Sequence, residues 1–190
     1  MDKIDVLNED IKRCTLCEST LPNPPQPIIN IGMAPSLLII GQAPGREAHQ
    51  HNKPFYDKSG DRLRKWLGLE ESVFYNPKYV SIMPMGFCFP GYKNNADAPP
   101  RKECAPKWHS LIIDTIKPNM RIIVGRYAQQ YHLPQFNTLT DAIKGCSPTD
   151  KHIVLPHPSG RNNRWMAKHP WFEANYLPEI QNRVKDIILR

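Results

Sequence analysis

No stretch of this sequence stays apolar long enough to cross a membrane, so a membrane partner is not expected. The opening residues Met1-Asp2-Lys3-Ile4-Asp5 lack both the basic patch and the apolar core of a secretory signal, which points to a cytosolic protein. No internal repeat and no low-complexity tract interrupts the chain. Hydrophobic residues make up 40%, which excludes disorder by composition. A single monomeric domain over residues 1–190 is therefore expected. Only one tight cysteine pair occurs, Cys14-Thr15-Leu16-Cys17, among five cysteines. In a reducing compartment these are not expected to be structural disulfides, so the pair reads as metal-binding or redox-active.

What is present is basic and rich in proline. The formal net charge is +7. That favours an anionic partner, nucleic acid first, with a plain solvated basic surface as the alternative. The 20 prolines are about twice the usual share of roughly 5%. They cluster at 22–27, 84–106 and 156–158, which predicts long ordered loops.

Hydrophobic patterning gives the architecture. Ile4, Leu7 and Ile11 have helical spacing within 3–12. Leu37-Leu38-Ile39-Ile40 is a continuous apolar run that stops at Gly41, the pattern of a buried parallel strand. Further strands are predicted at 78–83, at Arg121-Ile122-Ile123-Val124 and at His152-Ile153-Val154-Leu155. Helices are predicted from a Ser59 cap to Leu67, over 101–116, from Tyr127, and in the tail from Trp171, where Pro178 starts or kinks the last stretch. This alternation predicts an α/β fold: a three-layer α/β/α sandwich around a mostly parallel four-stranded sheet. Ligand sites in such sheets lie beyond the carboxyl ends of the strands. The loops 41–57, 84–104 and 156–165 all fall there.

Three constellations carry chemistry. In Gly41-Gln42-Ala43-Pro44-Gly45-Arg46-Glu47, the glycine after a strand permits close approach to a ligand. Gln42 and Glu47 there can hold a water or a base edge. Phe55, fixed after Pro54, can stack on a flat base or simply pack inside. In Pro156-His157-Pro158-Ser159-Gly160-Arg161-Asn162, His157 can donate to a base carbonyl. Arg161 and neighbouring amides can hold a phosphate. Cys14-x2-Cys17 and Cys88-x15-Cys104 can converge as four thiolates on one metal centre. With a single tight knuckle, an iron–sulfur cluster is favoured and zinc is the alternative. Cys146 is left as a free thiol.

Taken together, these pieces resemble the uracil-DNA glycosylase superfamily, and especially its iron–sulfur (family-4) branch. Gly41-Gln42-Ala43-Pro44-Gly45, with Glu47 beyond it, is similar to the first active-site motif. Pro54-Phe55 with Ser59-Gly60 and Leu63 is similar to the segment whose phenylalanine stacks on uracil. His157-Pro158-Ser159-Gly160-Arg161-Asn162 is similar to the second motif, whose loop enters the minor groove. The cysteine spacing is similar to that of the branch's 4Fe-4S ligands, and Gly125-Arg126-Tyr127-Ala128 matches as well. The resemblance covers about residues 11–165. It implies a DNA glycosylase that hydrolyses the N-glycosidic bond of uracil, or of a related deaminated base, in DNA. A non-catalytic damage-binding member is the alternative.

The resemblance implies roles residue by residue. Gln42, Glu47 and His157 would be catalytic, and Gly41, Ala43 and Phe55 would hold the base. Ser159, Arg161 and Asn162 would contact DNA, and Cys14, Cys17, Cys88 and Cys104 would hold the cluster. Two positions depart from the branch. It places a glutamate where Gln42 stands, and an asparagine that reads uracil near Pro84. Glu47 is the nearest carboxylate in sequence to make good the first. The basic residues Lys93, Arg101, Arg161, Arg164 and Lys168 are expected to face DNA.

Overall fold

A computed structural model describes residues 2–94 and 96–189. Helix α1 (Lys3–Lys12) buries Ile4, Leu7 and Ile11 on one face. Strand β1 (Leu37–Gly41) is buried at every residue. Helices α2 (Arg46–His51), α3 (Lys58–Leu67) and α4 (Glu71–Phe74) follow. Strand β2 (Val80–Pro84) is again wholly buried. The next loop contains a small antiparallel hairpin, β3 (Tyr92–Lys93) with β4 (Ala96–Asp97). A wide π turn (Ala105–His109) leads into α5 (Ser110–Ile116). Then come β5 (Met120–Val124), α6 (Arg126–His132), α7 (Leu139–Gly145) and β6 (His152–Leu155). A 3₁₀ turn (Gly160–Asn162), α8 (Asn163–Lys168), a second π turn (Phe172–Tyr176) and α9 (Leu177–Ile188) complete the described chain. No described helix is long and apolar enough to cross a membrane.

The four main strands form one fully parallel sheet in the order β2-β1-β5-β6. Strands buried on both faces must be apolar throughout, which is why they read as unbroken Leu, Ile and Val runs. The chain steps outward from β1 to β2, then returns across β1 to β5 and β6. Parallel crossovers are right-handed, so this reversal puts α3 on one face and α5 to α7 on the other. α9 packs with α3, and α1 packs with α5. The predicted three-layer sandwich is what forms. The reversal lies between β1 and β5, and the loops leaving their carboxyl ends open a crevice there.

Several local expectations are corrected. The cap of α3 is Asp57, not Ser59: an Asp57 carboxylate oxygen accepts the Gly60 N–H at 2.8 Å. The helix expected over 101–116 begins only at Ala105, and with a wide turn. Pro106 at its start has no N–H to give to a regular α-helical ladder. Helix α6 starts at Arg126, one residue before Tyr127. Pro178 falls in the first turn of α9, where a missing N–H costs nothing.

A histidine pair, His109 buried and His132 half-buried, fastens β2 to the α5–α6 layer. His109 Nε2 donates to the Pro84 carbonyl at 3.1 Å. Its Nδ1 is then free to accept from His132 Nε2 at 2.9 Å. Burial pushes both pKa values down, to about 4 for His109 and about 3 for His132. The unfolded chain therefore binds protons that the folded chain refuses. This stability is fully present above pH 6.5 and falls as pH drops from there toward 4. The loss approaches about 1.4 kcal/mol per pH unit for each histidine. Urea unfolding midpoints should thus fall clearly between pH 7 and pH 5. A midpoint that does not move over that range contradicts the neutral pair.

Candidate active site

The first loop is built around two close approaches. A Cβ on Gly41 would lie 2.8 Å from the tip of the Phe55 ring, so the ring rests directly on the end of β1. A Cβ on Gly60 would lie 1.7 Å from the Phe55 carbonyl oxygen. That carbonyl also accepts the Tyr75 hydroxyl at 3.0 Å. Phe55 itself adopts a left-handed backbone conformation, φ 53°, which an aromatic residue holds only when its surroundings enforce it. Its ring meets Phe74 edge-on at 6.3 Å. Gly60→Ala is accordingly expected to cost about 3 kcal/mol, the upper end for overpacking. An unfolding midpoint equal to wild type in urea contradicts this packing.

The second loop places an imidazole. His157 follows β6 and is half-buried. Its carbonyl accepts the Asn162 side-chain amide at 2.8 Å. Its Nδ1 accepts the Ser159 backbone N–H at 3.3 Å. Nδ1 is thereby an acceptor, so the proton of the neutral ring sits on Nε2 as a donor. Burial lowers the pKa of His157, and the Asp57 carboxylate opposes that shift. Asn163 accepts a hydrogen bond from Arg62 of α3 at 2.8 Å, tying this loop to the first.

These loops and the β3–β4 hairpin enclose a cleft of roughly 770 Å³. The range is that of a small-molecule site. Gly41, Gln42 and Ala43 line it, with Phe55 beside them. His157, Ser159, Arg161 and Asn162 line it as well. Pro84 is also on the lining and pairs with Gly41 in the sheet.

Glu47 does not reach the cleft. It is exposed in the first turn of α2. Two carboxylates that the sequence left without a role line the cleft instead, Asp57 and Asp97. Asp57 was open to detection as the helix cap three residues before Gly60. Asp97 had no sequence signal, because only the hairpin brings it in. Arg126 and Tyr92 are also on the lining. Burial raises the Asp97 pKa, Arg161 opposes this, and Asp57 adds to it.

The four predicted metal ligands lie away from the cleft. Cys17, Cys88 and Cys104 are buried and Cys14 is half-buried, all as free thiols. They are near enough to influence one another. Burial drives Cys88 up to about 11 and Cys104 up to about 12, and neighbouring thiols add to both shifts. The backbone amides of Gln26 and Phe87 hydrogen-bond to Cys88 and Cys104 and partly offset this. Among the described residues, no three His, Cys, Asp or Glu side chains come together closely enough to grip a single metal ion. Arg101, expected on the DNA face, instead donates to the carbonyls of Thr20 and Pro90 and joins the two cysteine-bearing segments. Lys93, Arg161, Arg164 and Lys168 are exposed.

This geometry has recognisable relatives. Residues 30–181 match the Uracil DNA glycosylase superfamily. A type-4 uracil-DNA glycosylase of Saccharolobus solfataricus is 22% identical over 149 residues, 75% of this chain. The chain spans 65% of the length of that relative. A distant likeness in structure is the solution NMR structure of a candidate uracil DNA glycosylase from Methanosarcina acetivorans. Its TM-score is 0.46 at 15% identity, covering 82% of this chain and 94% of that one. Because the sequence match runs from the residues before β1 into α9 and takes in every loop that lines the cleft, the chain belongs to the uracil-DNA glycosylase superfamily.

Proposed function

We propose that this protein is a DNA glycosylase that releases uracil, or a related deaminated base, from DNA. The observation that carries the reading is the convergence of Phe55, Gln42 and His157 on one cleft large enough to take a nucleotide. Hydrolysis of an N-glycosidic bond needs a positioned water, donors to the departing base, and anionic surroundings for the sugar as it becomes cationic. A base flipped out of the helix stacks on Phe55. His157 Nε2–H donates to the carbonyl on which negative charge develops. Gln42 orients water through its amide oxygen. Ser159, Arg161 and Asn162 hold the backbone beside the flipped nucleotide, and Gly41 and Ala43 leave room for the base.

Binding is electrostatic first, through Lys93, Arg161, Arg164 and Lys168. Affinity for a DNA strand should fall with salt at a log–log slope of about −0.9 per phosphate contacted on a duplex. A slope near zero contradicts it.

The cysteines complete the reading. Cys14, Cys17, Cys88 and Cys104 lie near enough to influence one another but not close enough to grip one ion as they stand. Their spacing along the chain and the type-4 relative support a thiolate-ligated 4Fe-4S cluster that would draw them together. The wide spacing of the second pair favours iron–sulfur over zinc, whose structural sites usually use two tight pairs. Held by these four residues, a cluster would cross-link the N-terminal segment to the 88–104 loop.

The test is a panel of single- and double-stranded oligonucleotides, each carrying one uracil, hypoxanthine or xanthine, treated with alkali after incubation. Alkali-labile cleavage at the modified position supports the reading and identifies the base. Strands that stay intact in every context, yet are bound, favour the damage-binding alternative.

A further inference from the structure

Gln42 lines the cleft, but its amide is too weak a base to take a proton from water, and Glu47 is exposed and off the lining. The two carboxylates that do line it differ in their commitments. Asp57 is fixed, because one of its oxygens caps α3 through the Gly60 N–H at 2.8 Å. Asp97 is held by the backbone of the hairpin, where it pairs with Tyr92. Among the described residues, no hydrogen bond or ion pair engages its carboxylate. Oδ2 of Asp57 and Oδ2 of Asp97 each lie 3.8 Å from the point a Cβ on Gly45 would occupy. The two acids therefore face one space, at the end of the loop that carries Gln42 and at the mouth of α2.

We propose that Asp97, delivered across the cleft by the β3–β4 hairpin, is the general base that takes the proton of the attacking water. This rests on the glycosylase reading above. The water oxygen bonds to C1′ of the sugar as the C1′–N bond breaks. The electron pair of that bond leaves on the base, facing the His157 donor. The water proton goes to the Asp97 carboxylate. Gln42 orients the same water, and Asp57 stays as a fixed anion beside it.

Burial shifts Asp97 upward, in the direction that makes a carboxylate a better base. The charged and titratable groups around it are Asp57 from the start of α3, His157 and Arg161 from the loop after β6, and Arg126 from the start of α6. Glu47 is close to Gln42 along the chain, whereas the hairpin brings Asp97 onto the lining of the cleft.

The experiment is single-turnover release of uracil from a single-stranded oligonucleotide, measured across pH for wild type, Asp97→Asn and Asp97→Glu. Affinity for the same strand carrying thymine is measured in parallel. A general base contributes typically about 10²–10⁴-fold. Asp97→Asn should lose a factor in that range and lose the acid limb of the pH profile. Asp97→Glu should recover part of the rate. Binding of the thymine strand should stay within about twofold, since among the described residues no hydrogen bond or ion pair makes the Asp97 carboxylate a support of the fold. An Asp97→Asn protein with the wild-type rate and profile overturns the assignment while leaving the glycosylase reading intact. So does a rate loss matched by an equal loss of strand binding. A wild-type protein that releases no base overturns both.

Discussion

Replacing His157 with alanine is expected to slow single-turnover base release about 10²- to 10³-fold, the usual cost of one preorganised donor to a developing anion. The ring is a neutral donor, because Ser159 N–H occupies Nδ1 at 3.3 Å and burial holds the pKa below its ordinary value. Alanine removes that donor without unpicking the loop. The Asn162 amide bonds to the His157 carbonyl, not to its ring. Binding to an uncleaved strand should change little, so the loss should appear in the rate of the chemical step. An alanine variant within about threefold of wild type would mean that the imidazole does not face the departing base.

Serine at Cys104 is expected to abolish iron binding and bleach the visible absorption of anaerobically purified protein. Cys104 is the most strongly shifted of the four thiols, and Cys14, Cys17 and Cys88 all act on it. A thiol raised to about 12 is nearly all protonated at neutral pH, so metal must drive its ionisation. Without metal, the segment carrying Cys14 and Cys17 is joined to the 88–104 loop by Arg101, which donates to the Thr20 and Pro90 carbonyls, and by packing of Pro22 beside Gly91. In a domain of this size one kcal/mol moves Tm by roughly 2–4 °C. Losing a cross-link worth a few kcal/mol should therefore lower Tm by about 10 °C. Cys146→Ser, at a thiol buried elsewhere, should keep its iron. Wild-type protein with four free thiols and no metal by elemental analysis contradicts the centre. Zinc in place of iron contradicts only its identity.

The sheet was legible because burial on both faces demands continuous apolar runs, and Leu37–Ile40 and Ile122–Val124 meet that demand without tertiary help. The capping of helix α3 was less so. Ser59 and Asp57 are both good caps by type, and only the Phe55 turn, which sets where the helix axis begins, decides for Asp57. Phe55, Gln42 and the His157 loop were legible through their order along the chain. Their convergence follows from strands β1 and β6 ending on the same edge of a parallel sheet. Asp97 was not legible, because its place depends on a two-residue antiparallel pairing with no hydrophobic signal, both strands being largely exposed. Arg101 shows the converse. Counting positive residues put it on the DNA face, but its guanidinium is spent on two backbone carbonyls.

Free base is the most direct evidence for the chemistry assigned to the cleft. Wild-type protein in excess over a single-stranded oligonucleotide with one uracil should yield one equivalent of free uracil by mass spectrometry. The phosphodiester backbone should remain intact until alkali is added. A bound strand that keeps its uracil, or one cut without releasing it, contradicts the assignment of the Phe55–Gln42–His157 cleft as a glycosylase site.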